Sequence, residues 1–259
     1  MERIGSHEFQ DESLRPVAIR RDCLGNLMHR EPVARLDAAA ERVAEHALRE
    51  IADELILSLK QELLHFDRPV ERSLIEECVD LATQAPSGSN MQGWHFLVIE
   101  DAAKKMAIAD IYRKGFALYR DAPYAAGNIV TGEPVRDAQQ KRVMGSAEYL
   151  AENFHRAPYL VIPCIEGRFD GTPNMVASSS LGSILPATWS FMLAARARGL
   201  GTSWTTIHLM FEQEAADVLG IPFDAITQTC LTPVAHTIGT DFQPAKREPL
   251  DQIMHWDSW

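Results

Sequence analysis

Apolar residues recur at steps of three and four across residues 33–64: Leu36, Ala40, Val43, Ala47, Ile51, Leu55 and Leu59, with Glu, Arg and Lys between them. That spacing sets them on one stripe of a helix, which must bury itself against this chain or another. Pro69 then interrupts, because it disfavours helical backbone at Arg68. A second stripe follows at Leu74, Ile75, Cys78, Val79, Ala82 and Ala85, with Pro86 as its expected end. The run WHFLVIE (residues 94–100) reads as a strand from its β-branched and aromatic content. Asp101 is placed to cap a helix over residues 102–115, with Gly115 as its stop.

From Phe116 to about Gly145, two prolines (Pro123, Pro134) and two glycines (Gly127, Gly132) predict a long irregular connection, the kind that shapes a pocket. APYLVIPCIE is a second buried strand. The stretch GRFDGTPNMVASSSLGS, rich in Gly, Ser and Pro, predicts a loop before a helix over residues 184–198. That helix carries Ile184, Leu185, Trp189, Phe191, Met192 and Leu193 almost all round, which suits the centre of a core or a subunit interface. Gly199 closes it. GTSWTT returns to extended chain, FEQEAADVLG is a short helix stopped by Gly220, and TQTCLTPVAH is a further strand. Helices alternating with a few strands, and no internal repeat, describe one α+β or α/β domain over residues 33–259. Residues 1–32 form an N-terminal extension in which GSHEF reads as tag-derived.

Composition narrows the function. With 259 residues, 46% of them hydrophobic, the chain can bury a full core. Its net charge of −11, from 25 Lys+Arg against 36 Asp+Glu, argues against a nucleic-acid partner. An anionic ligand would need a local positive site. Cys23, Cys78, Cys164 and Cys230 are far apart and form no CxxC pair, so buried reduced thiols are expected. No apolar stretch reaches the ~18 residues of a membrane span. No secretory pattern opens the sequence either, so the cytoplasm is the expected location.

No GxSxG elbow, Walker lysine loop or strand-borne GxGxxG is present, and no histidine spacing suggests a metal site. His95, His208, His236 and His255 are isolated and are expected to be satisfied structural residues. Three segments offer ligand chemistry instead. The first is PSGSNMQGW, where Ser87, Gly88, Ser89, Asn90 and Gln92 follow a helix and supply backbone access, hydroxyls and amides. The second, RGLGTSWTT, again sets glycines and hydroxyls after a helix. In the third, PAKREPL, Lys246 and Arg247 are adjacent in an otherwise acidic chain and form a candidate phosphate clamp.

The order APSGSNMQGWHFLVIED, APYLVIP, LPATWSFMLAARARGLGTSW and AKREPLD, over roughly residues 60–259, resembles the FMN-dependent nitroreductase family. The resemblance implies an α+β fold with a central, mostly antiparallel sheet flanked by helices, and an intertwined homodimer sharing two FMN sites. Ser87, Gly88, Ser89, Asn90 and Gln92 would line the flavin. Gly201, Thr202, Ser203 and Thr205 would face its ring, Lys246 and Arg247 would hold its phosphate, and Ser183, Leu185 and Pro186 would reach the partner's flavin. Where the family carries an Arg-Ser-x-Arg type motif, this chain has LSLKQELLHF. Either Lys60 substitutes, or the phosphate leans on Lys246 and Arg247, or flavin is held more weakly. The implied reaction is a ping-pong hydride transfer through flavin N5, from NADPH or NADH to a small electron-poor aromatic such as a nitroaromatic or quinone. It needs no catalytic side chain. The alternative is a protein of the same fold that binds flavin with little turnover.

Overall fold

The computed structural model describes residues 64–238 and 247–259, all within one compact unit spanning residues 50–259. The expected helix before Leu64 and the N-terminal extension lie outside the described residues. Among the described residues, six strands form one antiparallel sheet: β1 (Leu64–His65), β2 (Trp94–Ile99), β3 (Tyr159–Glu166), β4 (Leu200–Thr202), β5 (Ile226–Gln228) and β6 (Thr232–Thr237). β3, uncharged until its last residue, runs through the middle with seven of its eight residues buried. Along one edge it pairs with β2, from Trp94↔Ile165 to Ile99↔Leu160. Along the other it pairs with β5 and β6 in succession.

The strand expected over residues 227–236 is therefore two strands. The break faces Pro163, which has no N–H to give a ladder. There Thr229 turns both its backbone N–H (3.0 Å) and its hydroxyl (2.8 Å) onto the Pro163 carbonyl. Leu231, next in line, exchanges two backbone hydrogen bonds with Thr205 instead. That bridge pins the chain just beyond β4.

Among the described residues, five α-helices cover the sheet: α1 (Arg72–Ala82), α2 (Ala102–Arg120), α3 (Pro134–Asn153), α4 (Asn174–Ala197) and α5 (Glu212–Leu219). Alternate residues of β3 serve opposite faces, as the period of two demands. Tyr159 and Val161 pack with Ile75 and Cys78 of α1 and Phe191, Met192 and Ala195 of α4. Leu160, Ile162 and Cys164 pack with Ile108, Tyr112 and Phe116 of α2 and with Ala215 of α5. The fold is α+β, with an antiparallel sheet between helical layers.

Several local signals behave as expected. Asp101 caps α2 by accepting from Lys104 N at 2.8 Å. Gly199 and Gly220 follow α4 and α5 with φ of 71° and 73°, a left-handed conformation that glycine adopts without a Cβ clash. Cys78, Cys164 and Cys230 are free and buried. Burial pushes Cys78 up to about 11 and the other two to about 12, so all three stay thiols.

Other expectations are corrected. α1 ends at Ala82, before Pro86. Gly115 does not stop α2, which continues to Arg120. It serves close approach instead: a Cβ there would lie 2.8 Å from the Ile207 carbonyl oxygen. The predicted irregular connection holds the end of α2 and much of α3, because Pro134 opens a helix at its first turn, where a missing N–H costs nothing. α4 begins at Asn174, ten residues before the expected start, and contains Pro186. His208 is fully buried with no hydrogen-bond partner on either ring nitrogen, so it is not a satisfied histidine.

Candidate functional site

β4 carries its chain to Thr202, and the Thr205–Leu231 bridge holds the residues that follow against the sheet. Ser203, Trp204, Thr205 and Thr206 thereby floor a cavity of about 550 Å³ that α2 and α3 enclose from the side. Its walls are aromatic: Tyr112 and Tyr119 from α2, Tyr124 from the connection, Tyr149 from α3, and Phe66. Tyr119 and Tyr124 ring centroids lie 6.1 Å apart, and Phe66 stacks on Tyr149 at 6.4 Å. The Tyr112 hydroxyl shares a 3.1 Å hydrogen bond with Thr205 Oγ1, and burial pushes its pKa up to about 12, so it remains a neutral phenol. Tyr119 accepts from the Ala126 N–H at 3.0 Å, leaving its own proton to donate. Among the described residues that line the cavity, none carries a charge.

Two buried polar groups sit in this part of the chain without partners: Thr202 Oγ1 and both nitrogens of His208, which lies between the lining residues Ile207 and Met210. With nothing to compensate its charge, burial lowers the pKa of His208 to about 3.

The other polar segment is built differently. Ser89, Asn90 and Gln92 have φ of 51°, 54° and 53°. A left-handed non-glycine residue costs on the order of 1 kcal/mol or more and persists only when its surroundings fix it. Here the surroundings are local bonds and α4. Gln92 N donates to Ser87 Oγ at 3.1 Å and Gln92 Nε2 to Asn90 Oδ1 at 3.2 Å. Gly88 N donates to Ser183 Oγ at 2.9 Å, and that hydroxyl donates onward to the Ser179 carbonyl at 2.8 Å. A Cβ on Gly88 would meet Ser179 Oγ at 2.2 Å, so the loop seats on α4 at the glycine. Gly88 and Ser183, both expected to face a ligand, thus spend these polar groups on each other. Ser89, Asn90 and Gln92 are exposed, as is Pro186, while Leu185 is half-buried. No residue of this loop lines the Tyr-walled cavity.

Gly201 and Thr202 are buried in β4, and Ser203 and Thr205 lie on the cavity floor. Arg247 borders a second cavity of about 670 Å³, between the start of α3 and residues 247–252, beside Arg136, Glu133 and Glu248. Arg136 is ion-paired with Glu248. Lys60 and Lys246 lie outside the described residues. The tyrosines are what sequence reasoning missed. Four of the chain's five fall between residues 112 and 149, and that clustering was the available signal.

FMN can be tested against these groups. The hydroxyl residues Ser203, Thr205 and Thr206 and the aromatic walls suit a flat ring with a polar edge. The phosphate end is another matter, since no described lining residue offers it a cation and Arg247 borders the other cavity. The fit is to the ring.

Residues 66–236 match the model of the nitroreductase family. A 5,6-dimethylbenzimidazole synthase of Rhodospirillum rubrum is 26% identical over 153 residues, 57% of this chain and 65% of its own length. The chain thus spans just under two thirds of that relative. A 4-nitrobenzoate reductase of a Nocardioides species is 24% identical over 189 residues, covering 67% of this chain and 75% of that protein. Among solved structures, iodotyrosine deiodinase bound to FMN and 3-iodo-L-tyrosine superposes with a TM-score of 0.60 at 18% identity, over 81% of this chain and all of that one. An FMN and NADPH-dependent nitroreductase of sphigopyxis sp. strain HMH gives 0.56 at 19%, over 80% and 99%. At these identities the structural likenesses show a shared fold. The family match takes in well over half of the chain, and by it the protein belongs to the nitroreductase family.

Proposed function

We propose that the protein is an FMN-dependent oxidoreductase that passes reducing equivalents from NADPH or NADH to an electron-poor aromatic, a nitroaromatic or a quinone, and works as a homodimer in the cytoplasm. The observation that carries this reading is the aromatic cavity floored by Ser203–Thr206. Bound there, FMN would supply the hydride chemistry.

The chain's own residues would do the rest. Ser203 and Thr205, on the cavity floor, would offer hydrogen bonds to the polar edge of a flat ring, with Gly201 and Thr202 behind them in β4. Tyr112 fixes the Thr205 hydroxyl, and the tyrosine walls would pack against the ring. Lys246 and Arg247, with Lys60, are the proposed phosphate partners. None of the side chains needs to act as a nucleophile.

The homodimer is supported by what one chain leaves incomplete. The strained loop directs Ser89, Asn90 and Gln92 outward and contributes nothing to the cavity of its own chain, so a second copy would bring it to a neighbouring site. α4 beside it exposes Met175 (78%) and Trp189 (42%), a face suited to cover by a partner.

The names of the relatives favour a nitro compound as acceptor but include other flavin-fold chemistries, so the test must read each half of the reaction. Purified protein should be yellow, with absorbance near ~450 nm, bleached by anaerobic NADPH or NADH and restored by a nitroaromatic or quinone. A colourless protein that does not take up added FMN sinks the proposal. A yellow protein that neither dinucleotide reduces would favour flavin binding without turnover.

A further inference from the structure

We infer that the Tyr-walled cavity selects uncharged aromatic acceptors and rejects aromatic carboxylates, an inference that rests on the proposed reading in which the acceptor shares this cavity with the flavin ring. The described lining is apolar surface and hydroxyl groups without a charge. Of the cations on the surrounding elements, Arg113 is paired with Asp110, Lys114 with Glu214 at 2.6 Å and Arg156 with Asp67 at 3.1 Å, while Lys141 and Arg142 of α3 are exposed and do not line the cavity.

A carboxylate entering this space would lose its hydration and find no opposite charge, which is the costly way to bury an ion. A nitro group, a quinone carbonyl or a carboxamide gives up much less. Each is a neutral acceptor, and the Tyr119 hydroxyl, whose oxygen already takes the Ala126 N–H, has its proton left to donate. The cavity therefore discriminates by charge rather than by ring size.

Two compounds of nearly equal shape test this, 4-nitrobenzamide and 4-nitrobenzoate. Binding is read on the purified full chain without dinucleotide, by quenching of tryptophan fluorescence, since Trp204 lines the cavity. The amide should bind at least about tenfold more tightly, and the same preference should appear in kcat/KM when the NAD(P)H-reduced protein is reoxidised. Equal binding, tighter binding of the carboxylate, or no binding of either compound would overturn the inference. Ser146→Lys adds a cation to the α3 wall and should close the gap by about tenfold. A gap that the added charge leaves unmoved would place the discrimination elsewhere and also overturn the inference. Binding is measured without turnover, so it answers even if the protein proves not to be reduced by NAD(P)H. That separate result would sink the proposed oxidoreductase.

Discussion

Residues 87–92 and 202–206 are both short runs dominated by small polar residues, yet they are built in opposite ways. The first holds three non-glycine residues in left-handed conformations and presents their side chains outward from a seat on α4. The second has no left-handed residue, is bridged to Leu231 and floors an aromatic cavity. One is a strained projection and the other a supported floor. What separates them is the support: a helix face with two serines in the first case, a sheet and two helices in the second.

The largest effect should come from the cavity side, at His208. Its folded-state pKa of about 3 lies below its ordinary value of 6.5. Below pH 6.5 the unfolded chain therefore takes up a proton that the folded chain refuses, and stability falls as pH drops toward 3. Going from pH 7 to pH 4.5 should cost about 2–3 kcal/mol through this group. His208→Leu should remove that part of the loss, as read by urea unfolding of both proteins at the two pH values. Equal acid sensitivity in the two would show that His208 is not the cause.

Next is Gly115→Ala. The new methyl would press on the Ile207 carbonyl, a backbone atom that cannot rotate away. Destabilisation of about 1–3 kcal/mol is expected, less whatever helix propensity returns. The cavity floor should shift with it, seen as weakened 4-nitrobenzamide binding.

On the loop side, Ser183→Ala leaves the Gly88 N–H without its acceptor and should cost about 1–2 kcal/mol. If 87–92 is a projection serving another chain, this variant should lose FMN while its own cavity still quenches with the amide. Loss of both would erase the distinction between the two regions. The smallest effect is the sharpest: Ser89→Gly relieves a left-handed residue and should raise stability by up to about 1 kcal/mol. It should at the same time lower FMN retention, measured as bound flavin per chain after gel filtration. A variant that gained stability and kept its flavin would deny the strained loop a binding role.

Features set by local chemistry were legible in the sequence. Asp101 announces a cap, Gly199 and Gly220 announce helix ends, and the apolar runs at 94–99 and 159–166 announce strands. α3 was not legible. Only Met144 and Ala151 are buried along its twenty residues, so it carries almost no periodic signal, and Pro134 reads equally as a breaker or a first-turn residue. The first half of α4 was hidden in the same way by its serines and glycine. In the site, the polar character of 87–92 and 202–206 was plain, but nothing about Ser89 or Gln92 foretells a left-handed backbone. The aromatic walls come from α2, a connection, α3 and Phe66, and no window of sequence holds them together.

Pro186 has a consequence for how order is distributed. It removes one N–H from the middle of α4, interrupting the ladder between a C-terminal half packed in the core and an N-terminal half with few buried residues. Amide protons in those two halves should exchange on different clocks, slow after Pro186 and fast before it. Ser179 and Ser183 lie in the fast half, and the 87–92 loop is tied to both. Loop and half-helix should therefore open as one exchange unit, and whatever covers that half of α4 would slow the protons of both together.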